Sequence, residues 1–288
     1  MIRYNKSLAE IKKEVTPKWL AEAKRRTAKF RKDKRYSQPP SPNWSDVKTV
    51  FIRLQNAKCA YCEKKLESGT KGKIEWDVEH YRPKAEIKPW PPASRGRQLA
   101  YPFSLGPASN VGYYLLPYDL LNYLAACKTC NTPYKSSYFP IGAKKRLVSS
   151  TNMANLRKEK PFLPYPIGNI DDDPEEILTF QSYVCVPSSN RGHKRNRALV
   201  TIDFFELNGR DTLLEERAEL ILALSTMLQR LEGNKNDEEA ALILKRVRSG
   251  ISKHANCGRS FLRAYKANRP LAAIYVKKAK EYLESKSK

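Results

Sequence analysis

Four of the six cysteines fall in two C-x-x-C pairs, Cys59/Cys62 and Cys127/Cys130, with Cys127 65 positions beyond Cys62. Thiolate sulfur at this spacing suits a tetrahedral Zn²⁺ whose four positions are all filled by protein, a structural site. Such an ion would clamp two distant segments together, so the chain between the pairs has to leave one point and return to it. Rubredoxin-like iron is the alternative metal for the same sulfurs. A disulfide framework belongs to short secreted chains with a signal peptide. This chain has 288 residues, and Met1-Ile2-Arg3-Tyr4-Asn5-Lys6 lacks the apolar stretch of such a signal. No apolar run approaches the ~20 residues of a membrane span. The expectation is a soluble, cytoplasmic protein that does not touch membrane.

Charge narrows the partner. Lys+Arg is 54 against 30 Asp+Glu, a net charge of +24. A balance this basic fits a polyanion, and nucleic acid, DNA or RNA, is the commonest one. Hydrophobic residues make up 41%, enough for a packed globular core. Residues 1–36 hold 13 Lys/Arg and 4 Asp/Glu. The stretch from Lys18 to Arg26 reads as a helix, either a solvated basic face or an arm that grips phosphate. Gln38-Pro39-Pro40-Ser41-Pro42 breaks it.

Beyond that break, Val47, Val50, Phe51 and Leu54 lie at i, i+3, i+4 and i+7, which predicts a helix from near Ser45. Ser68-Gly69-Thr70-Lys71-Gly72 reads as a turn. Ile74, Trp76 and Val78 alternate with Glu75, Asp77 and Glu79, which predicts a half-buried strand ending on His80. Residues 88–112 read as a surface insertion and 140–176 as mostly loop. A strand is expected around Leu178–Val186, and helices from about Asp211, the first closed by Gly233-Asn234. Leu220, Ile221, Leu224, Met227 and Leu228 recur at helical spacing there, as core or as a docking face. The division expected is a basic N-terminal helical arm (1–42), a central module (43–210) and a C-terminal helical region (211–288).

The residues around the pairs carry the chemistry. CAYCE spans 59–63, VEHYRPK spans 78–84, Tyr118-Asp119 precedes Asn122, and CN closes the second pair at 130–131, followed by Tyr134-Lys135 and Phe139-Pro140. This order resembles the HNH (ββα-metal) endonucleases. More narrowly, with DDPEEILTF (172–180) and TIDFFELNGRDTLLEER (201–217), it resembles the HNH subunit of bacterial anti-phage Septu systems, also found with some retrons. The resemblance covers roughly residues 55–217. It implies an α+β fold with a central ββα-metal module and a four-cysteine zinc knuckle. It implies metal-dependent hydrolysis of DNA phosphodiesters, and an ATPase partner in a defence complex. His80 would be the general base, since its ordinary pKa near 6.5 suits neutral pH. Glu79 and Asn131 would offer hard oxygens to one Mg²⁺ or Mn²⁺. Asn122 would steady the His80 loop, and Arg82, Lys84 and Lys135 would meet flanking phosphates. Three residues, Pro133 among them, separate Asn131 from Lys135 where many HNH proteins have two. Glu79 stands where Asp is commoner.

Each residue also has a plainer reading. A histidine at a strand end is often structural, and Asn131 could simply cap a short helix. The alternatives at the level of function are a zinc-stabilised nucleic-acid-binding protein with an idle module, and a nuclease of restriction type that acts alone. Asp171–Asp173 reads as a solvated acidic turn or a second metal site. His193 reads as a phosphate-facing loop residue, His254 and Cys257 as packing residues, and Cys185 as a buried strand residue.

Overall fold

The computed structural model describes residues 1–67, 74–93 and 99–286; the turn expected at Ser68–Gly72 lies outside them. The chain forms two compact units. One comprises Arg3–Ala60 and Leu66–Asp173; the other comprises Pro174–Lys288 with Met1–Ile2 and Tyr61–Lys65. The longest continuous piece of the second unit begins at Pro174. Among the described residues helices dominate, with two small two-stranded sheets. Among the described residues no helix is long and apolar enough to cross a membrane.

The first unit opens with α1 (Leu8–Lys13) and α2 (Pro17–Asp33). Thr16 caps α2 by accepting the Trp19 N–H, and Pro17 at the first position fits the fixed φ of a helix start. The helix is not a detached arm. Trp19, Ala23 and Phe30 are buried, with Trp19 against the rings of Tyr118 and Tyr123. Lys18, Lys24, Arg25, Lys29, Arg31 and Lys32 stay exposed. The basic stripe and the core-facing stripe belong to one amphipathic helix.

Helix α3 (Ser45–Leu54) buries Val47, Val50, Phe51 and Leu54, as the periodicity requires. Strand β1 (Trp76–His80) pairs antiparallel with β2 (Tyr123–Cys127), setting His80 opposite Tyr123 and Trp76 opposite Cys127. The expected alternation holds only in part. Ile74 is exposed and Val78 half-buried, while Glu79 and His80 are both buried. Phe51 of α3 meets Tyr123 edge-on. Gln55, wholly buried, fills the other edge of β2: its amide donates to the Ala125 carbonyl at 2.8 Å and accepts the Ala125 N–H at 2.8 Å. A side chain thereby replaces a missing strand and leaves no orphan backbone group. The short helix α4 (Met153–Arg157) sits within the long loop region.

In the second unit, α5 (Pro174–Ile177) leads into a hairpin, β3 (Leu178–Gln181) and β4 (Val184–Pro187). The sequence suggested one strand here; Ser182, at φ 57°, turns the chain back. His193 lies in α6 (Gly192–Phe204) rather than in a loop. Helices α7 (Asp211–Gly233), α8 (Glu238–Arg248), α9 (Ala255–Ala267) and α10 (Arg269–Lys286) follow. Ile221 and Leu224 are core, while Leu220, Met227 and Leu228 are only half-buried. His254 is buried and bonded to Glu216 at 2.7 Å, and Cys185 and Cys257 are buried.

One buried ion pair ties the first unit together. Arg82 and Glu159 are each nearly inaccessible and bonded to one another; Glu159 also accepts from the Tyr113 hydroxyl at 3.0 Å. The guanidinium lies 4.9 Å from the Tyr113 ring and 4.8 Å from Phe139. Removing one member strands the other charge in the interior. We expect Glu159→Ala to lower stability by roughly 3–5 kcal/mol. The double variant Arg82→Met/Glu159→Leu should recover most of that in chemical denaturation, because it removes both charges at once.

Candidate functional site

The four cysteine sulfurs at positions 59, 62, 127 and 130 all lie within 4.8 Å of one another, and all four residues are buried. A tetrahedron with ~2.3 Å Zn–S bonds has edges of roughly 3.8 Å, so the sulfurs need little movement to hold the ion. The Cys130 N–H points at Cys127 Sγ from 3.4 Å, a contact that favours the thiolate. The Ala60 N–H bonds to the Ala125 carbonyl at 2.9 Å, docking the first pair on the strand that ends in the second. The cluster can hold zinc.

His80 stands at the end of β1. Its Nε2 is 3.1 Å from the Pro117 carbonyl. A carbonyl only accepts, so Nε2 carries the hydrogen, and in the neutral ring the lone pair is left on Nδ1. Burial, and then the nearby Lys84 charge, hold the imidazole well below its ordinary pKa despite the opposing pull of that carbonyl. The ring packs between two aromatics, Trp44 at 4.7 Å and Tyr123 at 5.2 Å, both edge-on.

The residues after His80 are clamped by Asn122. Its Oδ1 accepts the Arg82 N–H at 2.8 Å, and its Nδ2 donates to the Arg82 and Leu116 carbonyls, each at 3.1 Å. The Tyr81 N–H adds a bond to the Asn122 carbonyl. Asn122 is buried and its side chain is committed to backbone, which is what a loop-steadying residue needs. Gly112 braces the next stretch: a Cβ there would stand 2.5 Å from the Lys84 carbonyl carbon and 2.6 Å from Ala85 N.

Glu79 is buried, and Lys135 Nζ lies 3.1 Å from its Oε1. Burial pushes the carboxyl up and the ammonium down, and each charge opposes the shift of the other. Lys135 gets there through an unusual turn. Residues Cys130–Lys135 form a π-helical turn, and the Ser136 N–H bonds to the Asn131 carbonyl, five residues back, at 2.8 Å. The wider turn absorbs the third residue between Asn131 and Lys135 and swings the lysine back toward β1.

Arg82 and Lys135, both expected to meet phosphate, are thus engaged inside the protein, with Glu159 and Glu79 respectively. Lys84 differs. Its ammonium lies 4.5 Å from the Trp44 ring and 5.8 Å from Tyr36, and among the described residues it has no hydrogen-bond acceptor. Burial lowers its pKa, with Glu79 opposing. Asn131 is half-buried and lines a cleft of about 640 Å³ with Asp77, Val78, Trp44 and the 40–45 segment. That segment is held by the Trp19 indole N–H, which donates to the Asn43 carbonyl at 3.0 Å. Asp77 pairs with Lys48 and Lys128. The acidic turn is structural: Asp171 accepts the Tyr165 N–H at 2.8 Å, and Asp172 and Asp173 face Arg157 and Arg3.

Two participants escaped the sequence. Trp44 touches both His80 and Lys84 from another element, and the Pro117 carbonyl fixes the tautomer of His80. An aromatic beside a proline-rich break, 36 positions before the histidine, carries no motif signal.

A metal held by this cluster would be part of the fold. We expect about one zinc per chain by elemental analysis, and Cys130→Ser to be insoluble or unfolded. A zinc-free protein, or a well-folded Cys130→Ser, would contradict this.

No protein-family model matches the chain. It is 27% identical over 282 residues to Septu protein PtuB of Bacillus mycoides (strain KBAB4), an alignment covering 92% of this chain and 83% of that protein. The likeness therefore reaches well beyond the 55–217 stretch that carries the motifs, and the chain is similar to a Septu PtuB protein along most of its length.

Proposed function

We propose that this protein is a metal-dependent HNH endonuclease that hydrolyses DNA phosphodiesters as the effector of a Septu-type anti-phage system, with an ATPase partner. The observation that carries the reading is His80: a buried, neutral imidazole whose Nε2 hydrogen is committed to a carbonyl, on a loop locked by Asn122. Two antiparallel strands and a helical turn, joined at the cysteines, support a ββα-metal module around it.

In this reading Nδ1 of His80 takes the proton from the attacking water. Trp44 and Tyr123 keep the ring in plane for that transfer, and Asn122 acts on the loop alone. Lys84, which has no hydrogen-bond acceptor among the described residues, binds a phosphate oxygen. Glu79 and Asn131 are the hard-oxygen donors whose chemistry fits Mg²⁺ or Mn²⁺. The ion would polarise the phosphate and neutralise the leaving oxygen. The relative's name supports membership of a Septu system, and the exposed basic face of α2 supports contact with nucleic-acid phosphates.

The Glu79–Lys135 ion pair favours a second reading, a zinc-stabilised binding module with no catalysis, since it already neutralises the carboxylate. Plasmid cleavage with Mg²⁺ or Mn²⁺ separates the two. We expect His80→Ala to cut roughly 10²–10⁴-fold more slowly while still folded, with unchanged zinc content and DNA affinity and a lowered melting temperature from the cavity it leaves. Asn122→Ala should cost less rate and more stability. A folded, zinc-loaded His80→Ala that cuts at the parental rate would end the HNH mechanism; a parental protein that binds but never cuts would leave the binding module.

A further inference from the structure

The second unit carries a groove of about 680 Å³ between α7 and α9. Its floor is Leu228 and Leu231 from α7 and Leu262 from α9, all half-buried. Its rim is cationic. Arg248 closes α8, Arg263 and Lys266 stand on α9, and Arg269 opens α10. On α9 the lining residues Arg259, Leu262, Arg263 and Lys266 follow i, i+3, i+4 and i+7, a stripe about 10 Å long.

Some of these charges are spent internally. Arg259 pairs with Glu175 at 2.6 Å and Arg263 with the same carboxylate at 3.5 Å. Arg269 pairs with Glu232 and stacks 3.7 Å over the Tyr265 ring. Arg248 and Lys266 are exposed, and neither has an ion-pair partner among the described residues. The groove thus joins an apolar floor to unspent positive charge at the rim.

We propose that this groove docks an acidic amphipathic helix of a partner protein, apolar side chains on the leucine floor and carboxylates on Arg248 and Lys266. This goes beyond the nuclease reading and does not rest on it. Charge complementarity selects an anionic partner, and the leucines select among anions. A phosphate backbone offers nothing apolar to cover Leu228, Leu231 and Leu262. A helix with leucines on one face and glutamates beside them covers both features, and guanidinium matches carboxylate in a planar, bidentate way.

The test uses the full chain and three probes in fluorescence anisotropy. These are a labelled helical peptide with leucines along one face and glutamates elsewhere, its scrambled isomer of identical composition, and a short DNA duplex. The helical peptide should bind, with the scrambled isomer roughly tenfold weaker or worse, a gap of about 1.4 kcal/mol. Arg248→Glu/Lys266→Glu should weaken peptide binding by roughly tenfold or more, and so should Leu231→Asn. Both sets of changes should leave zinc content and circular dichroism unchanged. Lys24→Glu/Arg31→Glu on α2 controls for general attraction and should leave peptide binding as it was. Equal affinity for the scrambled isomer, or peptide binding unmoved by the Arg248/Lys266 reversal, overturns the proposal. So does displacement of the peptide by duplex DNA whose own binding falls in the same variant, which would make the groove a phosphate-binding strip.

Discussion

The convergence of Cys59, Cys62, Cys127 and Cys130 is the constraint on which the first sheet depends. Closing a loop of some 65 residues costs about 4 kcal/mol by the logarithmic length law. Zinc bound by four thiolates contributes on the order of 10 kcal/mol in small modules, so an ion held here would outweigh the closure roughly twofold. The closure also fixes geometry. β2 runs straight into Cys127, its partner strand places His80 opposite Tyr123, and the turn after Cys130 returns Lys135 to Glu79. The knuckle therefore sets the register of the residues proposed for catalysis without touching them.

Around that closure the interior is unusually ionic. Arg82–Glu159 and Lys135–Glu79 are both buried, and each lies beside the histidine in sequence or in space. Buried pairs contribute little net stability compared with apolar packing, and they penalise arrangements that leave one charge alone. Their effect here is to hold the loop after β1 in a single conformation, together with the three side-chain bonds of Asn122. The same loop carries Lys84 toward the aromatic pair Trp44 and Tyr36.

Much of this was legible in the sequence, for physical reasons. Cysteine spacing encodes metal geometry directly, and α3 and α7 announced themselves through helical periodicity and a Gly233-Asn234 stop. The loop-steadying role of Asn122 was implied by the resemblance, and its side-chain bonds to the backbone of Arg82 and Leu116 are compatible with it. Less legible was which cations turn inward. Arg82 and Lys135 look like phosphate ligands beside a histidine until Glu159, 77 positions away, and Glu79, 56 positions away, are seen to meet them. Periodicity failed at Ile74 because the strand starts two residues later. It missed the break in Leu178–Val186 because Ser182 adopts a left-handed turn without the usual glycine. Helix α2 read as an arm because its seven cations hid three buried apolar positions.

The π-helical turn at Cys130–Lys135 bears on how such proteins diversify and how they are found. An added residue in an ordinary helix would rotate everything after it by about 100°. A turn that changes its winding instead can confine an added residue to one place, and here such a turn ends on Lys135 at its Glu79 partner. Descendants of one ancestor can then differ in gap length at the centre of the motif and still assemble the same constellation. A search pattern with a rigid two-residue gap between asparagine and lysine passes over such a chain, whereas one written in terms of winding, with a variable gap, retrieves it.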